Sequence, residues 1–583
     1  MTGSFPSAAG KLLALGAAAT LLGSLPGGVA ASADQTAAPA KAPPNALTSP
    51  PLQSKLQVVG MRRLTEAQYR NAIADIFGPD IKVAGRFEPI VRPVHELIAS
   101  GARDAALSPS GLEQFDAMAR NIAAQVFDAP HRAQFVPCTP VDAAKADDVC
   151  ARTVLAPLGR HLFRRPLTAS EITAYVRMAG AAAGITGSFH KGLELALSAM
   201  LVAPEFLYIV ETAVPDPARS GALTLDDYSR ATRLSFTLWN TTPNETLLRA
   251  AEAGKLHDPA GLDTITRHMV DSPRFEDGVR AFFADMLLFE RFESLSKDPL
   301  IFPYFNSQVL QAMPEQMLRT AVDHLLVRGG DYRQLFLTNR TFMNRALGGL
   351  YQVPVHKASG WEAHEFAPGD DRAGLLGQAG FLAIYSQSGR SSPTLRGRAV
   401  RELLLCQPVP NPPGNVNFTA VQDTANHAMP TARIRLTAHM TDENCSGCHK
   451  LTDPVGLSLE RFDGIGAYRT SENGALIDPS GQLDAQKFNG ALGLGKTVAE
   501  SPDATLCAAS RVLEFARGVP SDDDGSLVEA LDTAFGASGF GIRALFLKAL
   551  TTPETWQVRQ APPAPASHVS LLTRQAREKP DGL

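Results

Sequence analysis

FHKGLELALSAMLVAPEFLYIVE, residues 189–211, is the stretch from which the fold class reads most directly. Its apolar residues recur with helical period and leave little room for a solvated face, which predicts a helix buried on most sides. Working outward from it, more helices are predicted. In LTEAQYRNAIADIFG (64–78), Thr65 stands where an N-cap belongs and Gly78 where a helix stops. Thr168-Ala169-Ser170-Glu171 is a capping-box pattern ahead of ITAYVRMAG. Thr224 to Asp227 is read as opening a helix through Trp239, with Pro243 at the start of the next. Residues 274–293 and 308–327 are two further amphipathic stretches. The expected fold is mainly α.

The texture changes near residue 340. NRTFMN, GLYQVP and the Gly/Ser/Pro-rich run from Tyr385 to Gly397 read as loops around short helices. Pro408 to Asn417 is a Pro/Asn stretch expected to be an extended connector. A helical signal returns near Thr431 and leads into Cys445-Ser446-Gly447-Cys448-His449. C-x-x-C-H is the attachment signal for c-type haem: the thiols add across the vinyl groups and the histidine becomes the proximal iron ligand. Asp453-Pro454 reads as a turn that stops the helix after His449. Residues 504–517 and 539–551 are helical again.

The start of the chain supports the motif. Lys11, the apolar run Leu12 to Leu25 and the small-x-small site Ala31-Ser32-Ala33 make an export signal. An N-terminal anchor is the alternative, and either reading puts the bulk outside the cytoplasm. In bacteria haem is attached there, and disulfides persist there. The expected organisation is a signal peptide (1–33), a flexible linker (34–56), an N-terminal helical region (57–213), a central helical domain (214–345), a loop-rich domain with the connector (346–417), a c-type haem module (418–560) and a disordered tail (561–583). The expected localisation is periplasmic or otherwise exported.

Composition excludes other classes. A formal net charge of −4 gives no case for a polyanion partner, and no basic aromatic-rich stretch supports nucleic-acid binding. After the signal, no apolar run reaches spanning length, so no integral membrane span is expected in the mature chain. Dinucleotide, P-loop, nucleophile-elbow and zinc-protease motifs are absent. A thioredoxin-like couple would need a βαβ setting, which does not precede Cys445. A zinc site would need two more ligands at suitable spacing. Haem is preferred over both. Of the six cysteines, Cys138, Cys150, Cys406 and Cys507 remain, and four cysteines allow three pairings. Cys138 and Cys150 bracket the short polar segment TPVDAAKADDV, so pairing them closes a local loop.

Seven stretches carry a resemblance: RRLTEAQYRNAIADIFG (62–78), LFRRPLT (162–168), LSAMLVAPEFLYIVE (197–211), DDYSRATRLSFTLWNTTPNETLLRAA (226–251), RAGLLGQAGFLAIYS (372–386), SSPTLRGRAVRELLLCQPVP (391–410) and CSGCHKLTDPVGLSLERFDGIGAYR (445–469). In this order they resemble large exported multi-domain proteins of unknown function that end in a planctomycete-type cytochrome c module. The resemblance implies an exported, mostly helical protein with one covalent haem. Together with the local loop, it also implies the pairs Cys138–Cys150 and Cys406–Cys507. One departure stands out: such proteins often carry Met where this chain has Thr452, so a methionine ligand is not available there.

An ordinary small cytochrome c takes its second axial ligand from a methionine downstream of the motif, and this chain has no methionine after His449. The sixth ligand is therefore expected from upstream, or from Lys or Tyr, or is absent. His439, ten residues before His449, is the first choice, since a helix folding back at Asn444 would bring its imidazole to the opposite haem face. Met440, His427 and Met429 follow; His356 and His364, flanking Trp361, are candidate distal groups. The alternative for His439 is a surface histidine on an amphipathic helix. Arg433, Arg435, Arg461 and Arg469, with Tyr468, are candidates to receive the haem propionates. The first functional reading is a redox or electron-transfer role with an unidentified partner protein or small-molecule substrate. A haem peroxidase or oxygenase is the second, and a substrate-binding or scaffold protein with accessory haem the third. No catalytic acid–base set is legible.

Overall fold

A computed structural model describes residues 57–559 apart from 368, 373, 412–427, 441–442 and 523. The expected signal peptide, nearly all of the linker, and the tail lie outside the described residues, as does His427. The described chain is mainly helical with short strands.

Local signals explain most helix starts. Helix α1 (Glu66–Phe77) begins with Thr65 accepting from the Gln68 amide at 3.2 Å while Gln68 Oε1 accepts from the Thr65 amide at 3.1 Å. Helix α2 (Pro109–Val126) starts with proline behind a Ser108 cap, and α3 (Asp148–Phe163) is capped by Asp147. Helix α4 (Ala169–Thr186) has the expected Thr168/Glu171 box, and Arg165 grips both Glu171 oxygens at 2.8 and 2.9 Å.

The run 189–211 is not one helix. Helix α5 (Phe189–Leu201) ends before Pro204, which disfavours helical backbone at Ala203. A single turn, Pro204–Leu207, follows with proline at its start, and the chain then becomes a strand, Tyr208–Val210, paired antiparallel with Met61–Arg63. Helices α2, α4 and α5 pack with α3 around Tyr69, Phe115 and Phe206 in the first of two large cores.

The second core gathers Leu97 with residues from Leu225 to Val558, and crosses the boundaries near 345 and 417 expected from texture. Its first long helix, α6 (Asp227–Leu238), is capped by Asp226 rather than Thr224. Thr224 lies in a strand, where its hydroxyl donates to the Trp556 carbonyl at 3.1 Å and accepts from Arg230 at 2.7 Å. Residues 274–293 divide into α7 (Phe275–Met286) and a 3₁₀ turn (Phe289–Phe292), separated by Leu288 at φ 59°. Helix α8 (Ser307–Val322) widens into a π turn over Asp323–Val327. The loop-rich region contains an unexpected antiparallel hairpin, Arg340–Met343 with Glu362–Glu365.

Two disulfides, Cys138–Cys150 and Cys406–Cys507, close loops separated by 12 and 101 positions. One four-stranded sheet joins the ends of the described chain: Gln57–Val58 pairs parallel with Gln57's far partner strand Gln557–Arg559, which pairs antiparallel with Leu223–Leu225, and that with Ala213–Pro215. Among the described residues no helix is long and apolar enough to cross a membrane.

Candidate haem-attachment site

Three later helices build the site: α9 (Pro393–Ala399), α10 (Ala432–Met440) and α11 (Glu443–Gly456). Cys445, Cys448 and His449 stand at positions i, i+3 and i+4 of α11 and so share one side of it. Cys445 is buried and Cys448 half-buried, and neither belongs to a disulfide. The Cys448 thiol meets the Pro410 carbonyl at 3.3 Å.

His449 Nδ1 is 2.7 Å from Asp453 Oδ2, one turn further along α11. Asp453 is fully buried, and its other oxygen accepts from the Thr394 hydroxyl at 2.7 Å and the Thr452 hydroxyl at 3.2 Å. The hydrogen bond with Asp453 raises the His449 pKa above that of free imidazole; burial opposes the rise and the Asp453 charge adds to it. With Nδ1 engaged, Nε2 is the ring nitrogen through which a metal would be held, the arrangement that orients ligating histidines in many metal sites.

Helix α11 does not stop at Asp453-Pro454. It continues to Gly456 with Pro454 inside it. Proline forfeits one helical hydrogen bond and restricts the residue before it. Here the loss is offset by tertiary packing, because Thr452, Asp453 and Val455 are all buried. The partner surface is α9. A Cβ on Gly397 would lie 1.9 Å from the Thr452 carbonyl oxygen, and one on Gly456 would lie 1.8 Å from the Pro393 carbonyl oxygen. The two backbones touch at this crossing, and only glycine fits either position. Next to Gly397, fully buried Arg396 donates to the Leu459 and Phe462 carbonyls at 3.0 and 2.8 Å. Arg401 donates to the Leu451 carbonyl at 2.7 Å. SPTLRGRAVR is thus the clamp on the motif-bearing helix.

Helix α10 folds back along α11, with Ala432 and Leu436 sharing a small core with Leu457. His439 lies on α10, but its side chain is outside the described residues, as is that of Met440. Met429 is half-buried, and its carbonyl accepts from Arg435 at 3.1 Å. His356 is 85% exposed and sits 3.3 Å from Glu362, while His364 packs edge-on against Phe366.

The five groups expected near the propionates all have partners within the chain. Arg435 is buried and bonds Glu472 at 2.6 Å. Arg433 pairs with Asp478 at 3.2 Å. Arg461 pairs with Asp371, which also accepts from the Tyr468 hydroxyl at 3.4 Å. Arg469 bonds Glu460 at 2.8 Å and Ser391 at 3.0 Å. These contacts tie the residues after α11 to the rest of the second core.

Sequence reasoning missed Asp453 as the partner of His449, Thr394, and Gly397; a glycine at 456 does by itself suggest close backbone approach, and the structure shows it against Pro393. The His449/Asp453 spacing of four was a usable signal, concealed by reading Asp453-Pro454 as a turn. Among the described residues no cluster of three or more His, Cys, Asp or Glu side chains could hold a metal ion by itself. Two thiols and one oriented imidazole on one helical side would fit a covalently attached haem, with Cys445 and Cys448 as its attachment points and His449 as an iron ligand.

Four family models match consecutive stretches of the chain, each described as a protein of unknown function: PSD3 (DUF1587) at residues 62–128, PSD5 (DUF1595) at 150–211, PSD4 (DUF1592) at 225–353 and PSCyt3 (DUF1588) at 372–472. All four are planctomycete cytochrome c-associated domains. The PSCyt3 match, named for a cytochrome c-like domain, contains Thr394, Cys445, Cys448, His449 and Asp453. No curated protein and no solved structure matches the chain.

Proposed function

We propose that this is an exported, single-haem c-type cytochrome-like protein with a redox role, its haem bound through Cys445 and Cys448 and its iron held by His449. The observation that carries the reading is the chain Thr394–Asp453–His449, which fixes the imidazole on the side of α11 that also bears both thiols. When bound, the haem supplies a one-electron couple whose potential follows its axial ligands and surroundings. The chain's own part is to hold the ligand rigidly: buried Asp453 sets the ring orientation and strengthens imidazole as a donor, and α9 fixes Asp453. The two disulfides and the PSCyt3 match support an exported, cytochrome-like protein. The preceding helical cores are far larger than haem binding needs, which favours a partner or substrate held by the rest of the chain.

The test is expression with a cytochrome c maturation system. The expected product keeps its haem through denaturing electrophoresis and gives the pyridine haemochrome of two thioether links, with Cys448→Ser reducing attachment. A product whose haem is extracted by acid acetone would reject the assignment.

A further inference from the structure

A cavity of about 380 Å³ opens beside the connector that touches Cys448. Asn411 belongs to its wall, and the residue before it, Pro410, is the one whose carbonyl meets the Cys448 thiol. The other walls come from the 92–97 loop, the end of α7 with the turn after it, Tyr385, α9 with the turn after it, and Arg511. Binding cavities recur at such junctions of separate segments.

The lining is cationic over an apolar floor. It holds four guanidinium groups and two carboxylates, Glu96 and Glu402. Two of the cations are satisfied: Arg92 by Asp285 and Glu290 at 2.9 and 2.6 Å, and Arg511 by Glu514 at 2.6 Å. Arg398 donates to Glu402 at 2.8 Å, to the Asn411 side-chain oxygen at 2.9 Å and to the Val409 carbonyl at 3.2 Å. Arg291 has no carboxylate partner among the described residues and stacks on Tyr385 at 5.4 Å. Leu97, Met286, Leu395 and Leu403 supply the floor. His95, 3.6 Å from Glu402, is held at φ 64°. That left-handed conformation is uncommon outside glycine, and strained backbone of this kind gathers at ligand sites.

We infer that this cavity receives a carboxylate carried on an apolar body, with Arg291 and Arg398 as its cations. Two sources share this chemistry: a propionate of the protein's own haem, which rests on the haem reading, and a free carboxylate ligand, which does not. The four arginines expected for the propionates are each paired with a carboxylate elsewhere in the chain, whereas Arg291, and Arg398 alongside Glu402, stand at a cavity one residue from the Cys448 contact.

The probe is benzoate, with benzamide as its uncharged control, titrated calorimetrically into two forms of the full chain. One is matured with haem; the other carries Cys445→Ser and Cys448→Ser. In the haem-free form one benzoate should bind and benzamide should not. Arg291→Gln and Arg398→Gln should each weaken benzoate by roughly tenfold or more, the value of a charge-assisted hydrogen bond. Arg291 is exposed, so its variant tests the idea without threatening the fold. Benzoate bound by the haem-free form alone identifies the propionate as occupant; equal binding by both forms identifies a free carboxylate ligand. Absence of benzoate binding, equal binding of benzamide, or indifference to both arginine variants overturns the inference. Failure of the haem reading registers separately, as a matured protein without a haemochrome spectrum, and leaves the haem-free titration intact.

Discussion

The crossing of α9 and α11 makes Gly397→Ala the sharpest test of what holds the motif helix. The added methyl would stand 1.9 Å from the Thr452 carbonyl oxygen, 2.7 Å from its carbon and 3.1 Å from the Gly456 nitrogen. All three are backbone atoms, so no side chain can swing aside. Ordinary contact begins at 3.4 Å, and the helices must separate by roughly 1.5 Å (3.4 − 1.9) to restore it. The same movement stretches the 2.7 Å Thr394–Asp453 bond beyond hydrogen-bonding range. Overpacking costs about 1–3 kcal/mol and the lost bond about 1 kcal/mol more, roughly 2–4 kcal/mol together. Urea unfolding followed by circular dichroism should show a lower midpoint, and haem yield under maturation should fall. Gly447→Ala is the control, because it lies in the motif itself, faces nothing within 4 Å and is on the same helix. It should be neutral or stabilising by up to about 1 kcal/mol, the helix-propensity gain of alanine over glycine. If Gly397→Ala keeps the parent's midpoint and haem yield, the crossing does not hold α11 and the account of the clamp is wrong.

Asp453→Asn replaces a carboxylate with a weaker acceptor on His449 Nδ1, so the reduction potential of the matured protein should rise; a potentiometric titration unchanged from the parent would remove Asp453 from the ligand's support. His439→Ala should convert a low-spin spectrum into a high-spin one that responds to carbon monoxide, whereas a spectrum matching a low-spin parent would direct attention to Met440 and then His427 and Met429. Removing Cys406–Cys507 by a double Cys→Ser change should cost roughly 2–4 kcal/mol in urea unfolding, since it closes the longer loop. The hydrogen bond from Arg165 holds the Glu171 carboxyl down to about 2, from 4.5 in its unperturbed state. Its contribution to stability is therefore complete above pH 4.5 and fades as pH falls toward 2. Glu171→Gln should flatten the acid limb of the stability profile in that window, and an unaltered limb would contradict the pairing.

Local grammar was legible where one residue type settles the matter. Thr65, Thr168 and Gly78 act where their sequence neighbours said they would, because a cap depends on three or four adjacent residues. Longer stretches misled where a tertiary partner decides. The 189–211 run is apolar throughout, so periodicity alone could not show that Pro204 divides a helix from a strand. Thr224 had the composition of a cap, yet the distant Trp556 carbonyl claims it for a sheet. Pro454 had the composition of a stop, yet burial of Thr452, Asp453 and Val455 against α9 carries the helix through it. The motif residues of the candidate site were legible as chemistry, while the residues that hold them came from position 394 and its neighbours, some fifty residues upstream in sequence. Nothing in a C-x-x-C-H pattern points to a threonine that far away.

The parallel pairing of Gln57 with Val558 has a consequence for how the molecule is made. A strand near the beginning finds its neighbour only after about five hundred more residues have been synthesised. At roughly 5–20 residues per second that interval is about 25–100 s. The first core, built from residues 64–209 with only Phe236 added from beyond, can assemble during this time. The sheet cannot. Its early strands therefore pass the interval as open edges, the feature most prone to pairing with other chains. Closing the sheet is a topological signal that synthesis has passed residue 557, so shortened products that lack Gln557–Arg559 should be sticky and readily degraded even though most of their helices are intact.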